Sequence, residues 1–404
     1  METIYITKEA AKNYLVDYQG LMHIQEGKLG IENYIKKVGC IQFDPLDVVG
    51  RNPDLMMQSR IKDYSPKMLN ELLYEDRVLI DGWDKMMSIH HVEDWPYLKR
   101  IRDEHAKSNI NIMKHRGTVQ ALDYLEQVKE MLRQEGPKFS REINFSGVEK
   151  GRWSSNKYAN IALDHLFHLG EIGILKKNNN QKCFDVIENL LEEQILAFNE
   201  PFSSEDAFLR WYIKRRIASV GMLWSRNGGG WLGHFISDKS KRDYWINAMV
   251  DEGELYPVRV EGIKELLYIS NENLTDLKQT PKNEIKEVKI LAPLDNLLWD
   301  RALVEVLFNF KYSWEVYIPE SRRKYGYYVL PVMYGENIIA RFEPVKSTKG
   351  EPLQIKKWWW EEDVEINEPL LIAIEKGLSR FAKYLEAADD AKEYRHGILS
   401  AKNI

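Results

Sequence analysis

A glutamine and an aspartate two positions apart, Gln42 and Asp44, are the residues of this sequence best suited to chemistry. In an extended backbone, alternate side chains leave on the same face, so both polar groups point one way and Phe43 the other. A carboxylate next to an amide can hold one water molecule, because the aspartate accepts its proton while the glutamine orients it. The pattern therefore suits the activation of water as a nucleophile.

The same residues also have a purely structural interpretation. Asp44 precedes Pro45, and an aspartate before proline is a common turn former whose carboxylate accepts backbone N–H groups. Spacing alone favours this turn, so both interpretations stay open at this point. Asp47 and Arg51 follow closely, and each either supports the site or forms a salt bridge in the turn.

Other kinds of chemistry are not favoured. Cys40 and Cys183 are too few for a disulfide framework and lack the spacing of a zinc site, which indicates a reducing, cytoplasmic location and no metal. His165 and His168 have no carboxylates at matching spacing, so we expect them on a helix surface. The glycine-rich residues 225–233 lack the Gly-Lys-Ser/Thr ending of a phosphate loop, so no cofactor is expected. No apolar run approaches the ~20 residues that span a bilayer.

The elements that must position these residues recur along the chain. In each of three segments, helices with apolar residues at regular spacing are followed by a short β-prone pair. Thr7 is a predicted N-cap in the first segment. In the second, residues 119–135 form a predicted helix, and residues 171–188 read as a strand, an Asn-rich turn and a returning strand. Residues 208–270 repeat this order, which is the winged-helix arrangement.

The predicted fold class is α+β, with tandem winged-helix domains followed by a C-terminal antiparallel β-sheet or small barrel and a terminal helix. The predicted domains are residues 1–112, which contain Gln42 and Asp44, then 113–198, 199–275 and 276–404. Alternating strand patterns with Gly and Asn turns distinguish the last of these from the others.

Basic clusters give candidate contacts to nucleic acid. The formal net charge is −5, yet residues 201–250 hold eight Lys and Arg against four Asp and Glu. Such segregation can create a basic surface on an acidic protein, although solvated helix faces would give the same counts. Winged helices place a helix in a DNA groove. The candidate DNA contacts are Arg51, Lys157, Lys214, Arg215, Arg216, Arg322, Arg323 and Lys324.

Two motifs give the sequence a family resemblance. One is Gln42-Phe43-Asp44, and the other is the run at 291–332, with Trp299-Asp300-Arg301 and Tyr325-Gly326-Tyr327. Together they resemble the winged-helix DNA glycosylases of the YcaQ/AlkZ family, which unhook interstrand crosslinks, and the resemblance extends over most of the chain. It implies a DNA repair enzyme that hydrolyses the N-glycosidic bond of cationic N7-alkylguanine in double-stranded DNA.

The resemblance also implies roles for individual residues. Asp44 would be the electrostatic stabiliser and general base, and Gln42 would position the water or the sugar. The motif has no lysine to act as a Schiff-base nucleophile, so a monofunctional enzyme without lyase action is expected.

This sequence departs from the family pattern at two places. Family members often carry Trp-x-His-Glu after the first wing, where this chain has Trp83-Asp84-Lys85-Met86, and Asp295-Asn296 replaces a frequent Asp-Pro. If the missing histidine is required for the reaction, the chain is instead a non-catalytic DNA-binding protein, such as a regulator or lesion sensor. A winged-helix adaptor between proteins is the third interpretation.

Overall fold

The computed structural model describes residues 2–143, 145, 155–280, 286–345 and 350–400. Contacts within the chain divide it into two compact units. The first unit consists of Met1–Leu69 together with Asp206–Ile404, and the second is Asn70–Glu205. This division is coarser than the four predicted segments, whose boundaries stay a prediction.

Local signals in the sequence begin the helices of the first unit. Thr7 is the predicted N-cap, since its hydroxyl accepts the N–H of Ala10 at 3.1 Å. Asp238 and Asn367 cap later helices in the same way. The described α-helices of this unit are Lys8–Tyr18, Gly27–Val38, Asn52–Gln58, Glu205–Val220, Lys239–Asp251, Leu274–Gln279, Arg301–Phe308, Glu368–Tyr384 and Ala391–Ser400. Short 3-10 helices lie at Gly229–Trp231, Asn271–Asn273, Asn296–Leu298, Glu315–Tyr317 and Glu320–Arg322.

One four-stranded sheet of the first unit joins the beginning of the chain to its middle. Its strand order is Ile4–Ile6, Leu255–Val260, Leu267–Ser270 and Leu223–Trp224. The first pair is parallel, with Ile4 opposite Val258, and the other pairs are antiparallel. A short parallel pair, Gln25–Glu26 with Ile61–Lys62, lies in the same unit.

The second sheet of this unit lies near the C-terminus. Its antiparallel strands, in order, are Val288–Ile290, Leu330–Tyr334, Asn337–Val345 and Gln354–Trp360. The helix Glu368–Tyr384 packs on it closely, because Gly377 has no side chain: a Cβ there would lie 2.6 Å from a methyl carbon of Val288. An antiparallel sheet and a terminal helix were predicted here, and closure into a barrel stays a prediction.

The second unit combines helices with two small sheets. Its described α-helices are Pro66–Tyr74, which begins in the first unit, Lys99–Arg116, Leu125–Glu135, Ser155–Leu169 and Glu193–Ala197, with 3-10 helices at Val92–Asp94, Val119–Tyr124, Ser140–Glu142 and Ile187–Asn189. The strands are the hairpin Leu79–Trp83 with Met87–His91, and a three-stranded sheet in the order Lys138–Phe139, Gln181–Val186 and Ile172–Asn178. The predicted strand, Asn-rich turn and returning strand are thus present, with Asn179 at a positive φ of 52°. Assignment of these elements as winged helices stays a prediction.

The expected surface position of His165 and His168 is wrong. Their exposed fractions are 3% and 7%. The helix that carries them packs against Lys99–Arg116, and Trp83 lies between two imidazoles, with ring centroids 4.1 Å from His105 and 4.8 Å from His168. Apolar spacing identified the main buried face of this helix. It did not predict that the helix Lys99–Arg116 also packs on the face that carries the histidines.

Candidate active site and nucleic-acid interface

Gln42 is the last residue of a short strand, and Asp44 comes two residues later. Two buried asparagine side chains hold the backbone of this strand. The strand Cys40–Gln42, called the motif strand here, ends in the non-helical segment before Pro45. Asn52 donates to the carbonyl of Gln42 at 2.8 Å, and Asn296 donates to that of Cys40 at 3.0 Å. Both asparagines are about 2% exposed or less. The extended backbone expected for this motif is therefore fixed by tertiary contacts.

A buried ionic network supports those amides. The guanidinium of Arg60 donates two hydrogen bonds of 2.8 Å to Asp295, and its Nε donates to the carbonyl of Gln19 at 2.7 Å. Asp295 also accepts from the N–H of Leu297 and so begins the turn that holds Asn296. The departure from Asp-Pro thus has a structural explanation, because Asn296 replaces a proline that could not donate to the motif strand.

Asp44 is half-buried, and its carboxylate both forms the predicted turn and keeps its charge available for chemistry. One carboxylate oxygen accepts the N–H of Leu46 at 2.8 Å, which is the predicted turn. Burial raises the pKa of Asp44 above the ordinary carboxyl value, and the hydrogen bond from Leu46 opposes this rise. Asp44 forms no ion pair with the residues that the structure describes. The turn therefore orients a carboxylate whose charge remains available.

Two tyrosines from a distant part of the chain, Tyr317 and Tyr328, lie within electrostatic range of this carboxylate. The segment 315–328, called the tyrosine segment here, contains Tyr317, Tyr327 and Tyr328. The charge of Asp44 is the largest cause of the raised pKa of Tyr317, and it also raises the pKa of Tyr328. Tyr317 is 80% exposed and Tyr327 is 37% exposed. Asp44 is consequently within electrostatic range of an exposed tyrosine, Tyr317.

Two buried carboxylates hold the backbone of the tyrosine segment. Glu315 accepts the N–H groups of Lys324 and Tyr325 at 3.2 and 2.9 Å, and Glu343 accepts that of Tyr327 at 2.8 Å. Gly326 permits this close packing, since a Cβ there would lie 2.6 Å from the Glu343 carboxylate. The Tyr325-Gly326-Tyr327 motif therefore sets the loop geometry.

The basic run Arg322, Arg323 and Lys324 belongs to the same segment. Arg323 donates to the carbonyl of Ile318 at 2.8 Å and lies 5.0 Å from the ring of Tyr327. None of the three cations forms an ion pair with a carboxylate among the described residues. Carboxylates in the described part of the chain therefore do not neutralise these three charges, and their contact with DNA stays a prediction.

The second predicted run, Lys214 to Arg216, is arranged differently. Lys214 contacts Glu254 at 2.5 Å, and Arg215 donates to the carbonyl of Gly39 at 2.9 Å. Arg216 is wrongly predicted as a DNA contact, because it is 0% exposed and donates to the carbonyls of Gly230 and Leu232. It lies inside the unit as a structural cation.

The remaining predicted contacts lie in separate places. Arg51 pairs with Asp54 at 2.8 Å, so the salt-bridge alternative applies to it, and Asp47 accepts from the N–H of Gly50 in the turn. Lys157 lies in the second unit on the helix Ser155–Leu169 and is exposed.

Sequence reasoning missed several residues of this site. Lys36 and Lys37 line a cleft of about 380 Å³ with Lys214, Arg215 and Trp211, directly before the motif strand. Tyr317 and Tyr327 were likewise not selected. Adjacent lysines at the end of an amphipathic helix were a usable signal for the cleft, but no local pattern links residue 317 to residue 44.

Other predicted features have plain structural roles. Trp231, in the glycine-rich loop, is buried and donates to the carbonyl of Trp224 at 2.7 Å. Among the described residues there is no group of three His, Cys, Asp or Glu that could hold a metal, and no helix long and apolar enough to cross a membrane.

Comparison with known proteins shows the family of this chain. The family model described as "DNA glycosylase AlkZ-like" matches residues 35–386, which include the motif strand and the tyrosine segment. The fold is similar to that of the Streptomyces sahachiroi DNA glycosylase AlkZ, with a TM-score of 0.65 over 95% of this chain and 98% of that one, at 17% sequence identity. The chain belongs to the AlkZ-like DNA glycosylase family. The resemblance read from the motifs is therefore confirmed.

Proposed function

We propose that this protein is a monofunctional DNA glycosylase that hydrolyses the N-glycosidic bond of cationic N7-alkylguanine. One observation carries the proposal: the half-buried carboxylate of Asp44 lies within electrostatic range of the exposed Tyr317. The cations of the basic run belong to the same segment as Tyr317. Such a reaction needs an ionised carboxylate, an aromatic surface for the base and positive charge for the DNA phosphates.

The chemistry of the lesion explains why few groups suffice. An N7-alkylated guanine already carries a positive charge, so it leaves without protonation by the enzyme. What remains is to stabilise an oxocarbenium-like sugar and to deliver water to its C1′ atom. The negative charge of Asp44 does the first, and its basic oxygen takes the proton from the attacking water. Gln42 orients that water or the sugar.

Tyr317 supports selection of a cationic base. The face of a tyrosine ring attracts cations, with a contribution of about 0.5–2 kcal/mol. Because most of Tyr317 is exposed, its ring is accessible to a ligand beside Asp44. A neutral guanine gains less from this contact and also has a poorer leaving group.

Release of free base from a duplex that contains N7-methylguanine tests the proposal. Wild-type protein is expected to release the base and leave an intact abasic strand, which alkali then cleaves. The variant Gln42→Ala, Asp44→Ala is expected to bind the duplex without releasing base. Strand cleavage without alkali would contradict the monofunctional assignment, and full activity of the double variant would contradict the assigned site.

Crosslink unhooking is a separate part of the proposal. A crosslinked guanine cannot swing fully into a closed pocket, so exposed aromatic surface beside Asp44 suits it better than an enclosed site. A duplex with a single N7–N7 interstrand crosslink is expected to separate into strands under denaturing conditions after incubation. Base release from monoadducts without strand separation would restrict the activity to monoadducts.

A non-catalytic DNA-binding protein is the alternative that the same assay examines. It is favoured by Trp83-Asp84-Lys85-Met86, where Asp84 and Lys85 are 1% and 5% exposed. By the resemblance, the buried Lys85 stands where family members often carry histidine, in the hairpin of the second unit. Salt-dependent DNA binding without base release from any alkylated duplex would establish this alternative.

A further inference from the structure

The second unit contains a cleft of about 780 Å³ that the proposed reaction does not use. Its walls are the last turns of Lys99–Arg116, the first turns of Ser155–Leu169, the strand Gln181–Val186 and the segment 139–141. All of these elements belong to Asn70–Glu205. The described lining residues thus belong to one compact unit and do not include Gln42 or Asp44.

Positive charge surrounds this cleft. Arg116, Arg141, Lys157 and Lys182 line it, and among the described lining residues one carboxylate, that of Asp164, faces them. Arg116, Arg141 and Lys182 form no ion pair with any residue in the described part of the chain. Lys182 lies 5.3 Å from the ring centroid of Phe167, and Arg141 lies 5.3 Å from that of Phe139. Aromatic contacts therefore position two of the cations without neutralising them.

The floor of the cleft is apolar. Met113, Leu163 and Phe184 are at most 7% exposed, and Phe139 and Ile161 are half-buried. Asparagine and glutamine side chains also line the cleft: Asn109, Asn160, Asn180 and Gln181. Pockets of this size, with an apolar floor and a few polar groups, are typical of small-molecule and cofactor sites.

We propose that this cleft binds a nucleotide unit, with its phosphate on the cations and its base on the apolar floor. An apolar ligand alone would leave the charges of Arg116, Arg141 and Lys182 without an anionic partner. Inorganic phosphate alone would leave the floor in contact with water. A nucleotide satisfies both, and the amides together with Asp164 can accept and donate hydrogen bonds at the base edge.

The nucleotide has two possible sources, which share this chemistry. It is either a free mononucleotide or one nucleotide of a DNA strand. This site goes beyond the proposed glycosylase activity, since it needs neither an alkylated base nor Asp44. Binding of undamaged ligands by an Asp44→Asn protein therefore tests the cleft independently of base release.

Calorimetric titration of full-length Asp44→Asn protein with dGMP, deoxyguanosine and a five-residue single-stranded oligonucleotide is the test. The background protein is expected to bind dGMP or the oligonucleotide, and to bind deoxyguanosine at least tenfold more weakly because it lacks a phosphate. Adding Arg116→Glu and Lys182→Glu is expected to weaken phosphate-dependent binding at least tenfold. Lys107→Glu and Lys114→Glu reverse two exposed charges of the same unit outside the cleft, and they are expected to leave binding unchanged.

The relative affinities for the oligonucleotide and for dGMP show whether the nucleotide comes from a DNA strand or is free. Tighter binding of the oligonucleotide assigns the cleft to a DNA strand, and tighter binding of dGMP assigns it to a free nucleotide. Circular dichroism checks the fold of each variant, and Arg141→Ala serves as a second, milder cleft variant. Equal binding by the cleft and control variants, or no binding of either phosphate-bearing ligand by the Asp44→Asn protein, would overturn the proposal.

Discussion

The two basic runs of the first unit look equivalent in the sequence and differ in the structure. Lys214, Arg215 and Arg216 point to Glu254, to the carbonyl of Gly39 and to buried carbonyls, respectively. Arg322, Arg323 and Lys324 have no carboxylate partner among the described residues. Arg323 donates to the carbonyl of Ile318, whereas Arg322 and Lys324 are exposed. A charge held by a carboxylate or by carbonyls stabilises the fold, and the exposed charges of Arg322 and Lys324 remain available to a ligand.

The same contrast separates two aspartates. Asp295 is fully buried and forms a two-bond ion pair with Arg60, whereas Asp44 is half-buried and accepts a single backbone hydrogen bond. Asp295 supports the motif strand through Asn296, and Asp44 lies just after that strand. Substitution of one is expected to change stability, and substitution of the other is expected to change activity.

Asp44→Asn is expected to give the largest effect, a loss of base release by a factor of about 10²–10⁴, because it removes the general base. Stability is expected to stay equal or to rise. The raised pKa means that the folded chain binds this proton more tightly than the unfolded chain, so the ionised carboxylate lowers stability at neutral pH. Release kinetics and urea unfolding measure the two quantities. Asp47→Asn, in the same turn, is the control, and an equal loss of activity in both variants would contradict the assignment.

Asp295→Ala is expected to lower the free energy of unfolding by about 3–5 kcal/mol, because it leaves the guanidinium of Arg60 buried without its partner. Urea unfolding measures this loss. The exposed pair Lys62–Glu26 is the comparison, and Glu26→Gln is expected to change the free energy of unfolding far less, because solvent screens this pair. Equal effects of the two substitutions would show that the buried network does not support the motif strand.

The contrast between the basic runs predicts different salt dependences. Arg322→Ser with Lys324→Ser is expected to weaken DNA binding and to reduce the slope of log affinity against log salt by about 2, one for each lost phosphate contact. Arg216→Met is expected to lower stability and to leave that slope unchanged. Fluorescence anisotropy with an undamaged duplex measures both. A reduced slope for Arg216→Met would place its charge on the DNA surface after all.

Tyr317→Ala is expected to give the smallest of these mutational effects, a loss of about three- to tenfold in release of cationic base, from the contact between its ring and the cation. Tyr317→Phe keeps the ring and is expected to retain most of the activity. Single-turnover release by the two variants checks this difference. Equal losses would assign the effect to the phenol hydroxyl.

Local patterns in the sequence predicted much of the framework and part of the site. The cap at Thr7, the hairpin after Ile172 and the terminal helix follow from residues close in the chain. The motif that placed Gln42 and Asp44 together, and the C-terminal run, were sufficient to identify the family.

Contacts between distant residues account for what the sequence could not show. The burial of Arg216 depends on carbonyls 14 and 16 residues away. Asn296 reaches the motif strand across 256 residues, and the proximity of Tyr317 to Asp44 likewise depends on tertiary packing. Residue type and spacing report which groups can react, whereas partners and exposure depend on the complete fold.

The pH dependence of single-turnover base release tests the role of Asp44 most directly. With enzyme in excess over an N7-methylguanine duplex, the rate is expected to fall on the acid side with a midpoint above the ordinary carboxyl pKa of 3.8, because only ionised Asp44 accepts the proton. The residual rate of Asp44→Asn is expected to lack this limb, after correction for spontaneous release. A wild-type limb that persists unchanged in the variant would contradict the account.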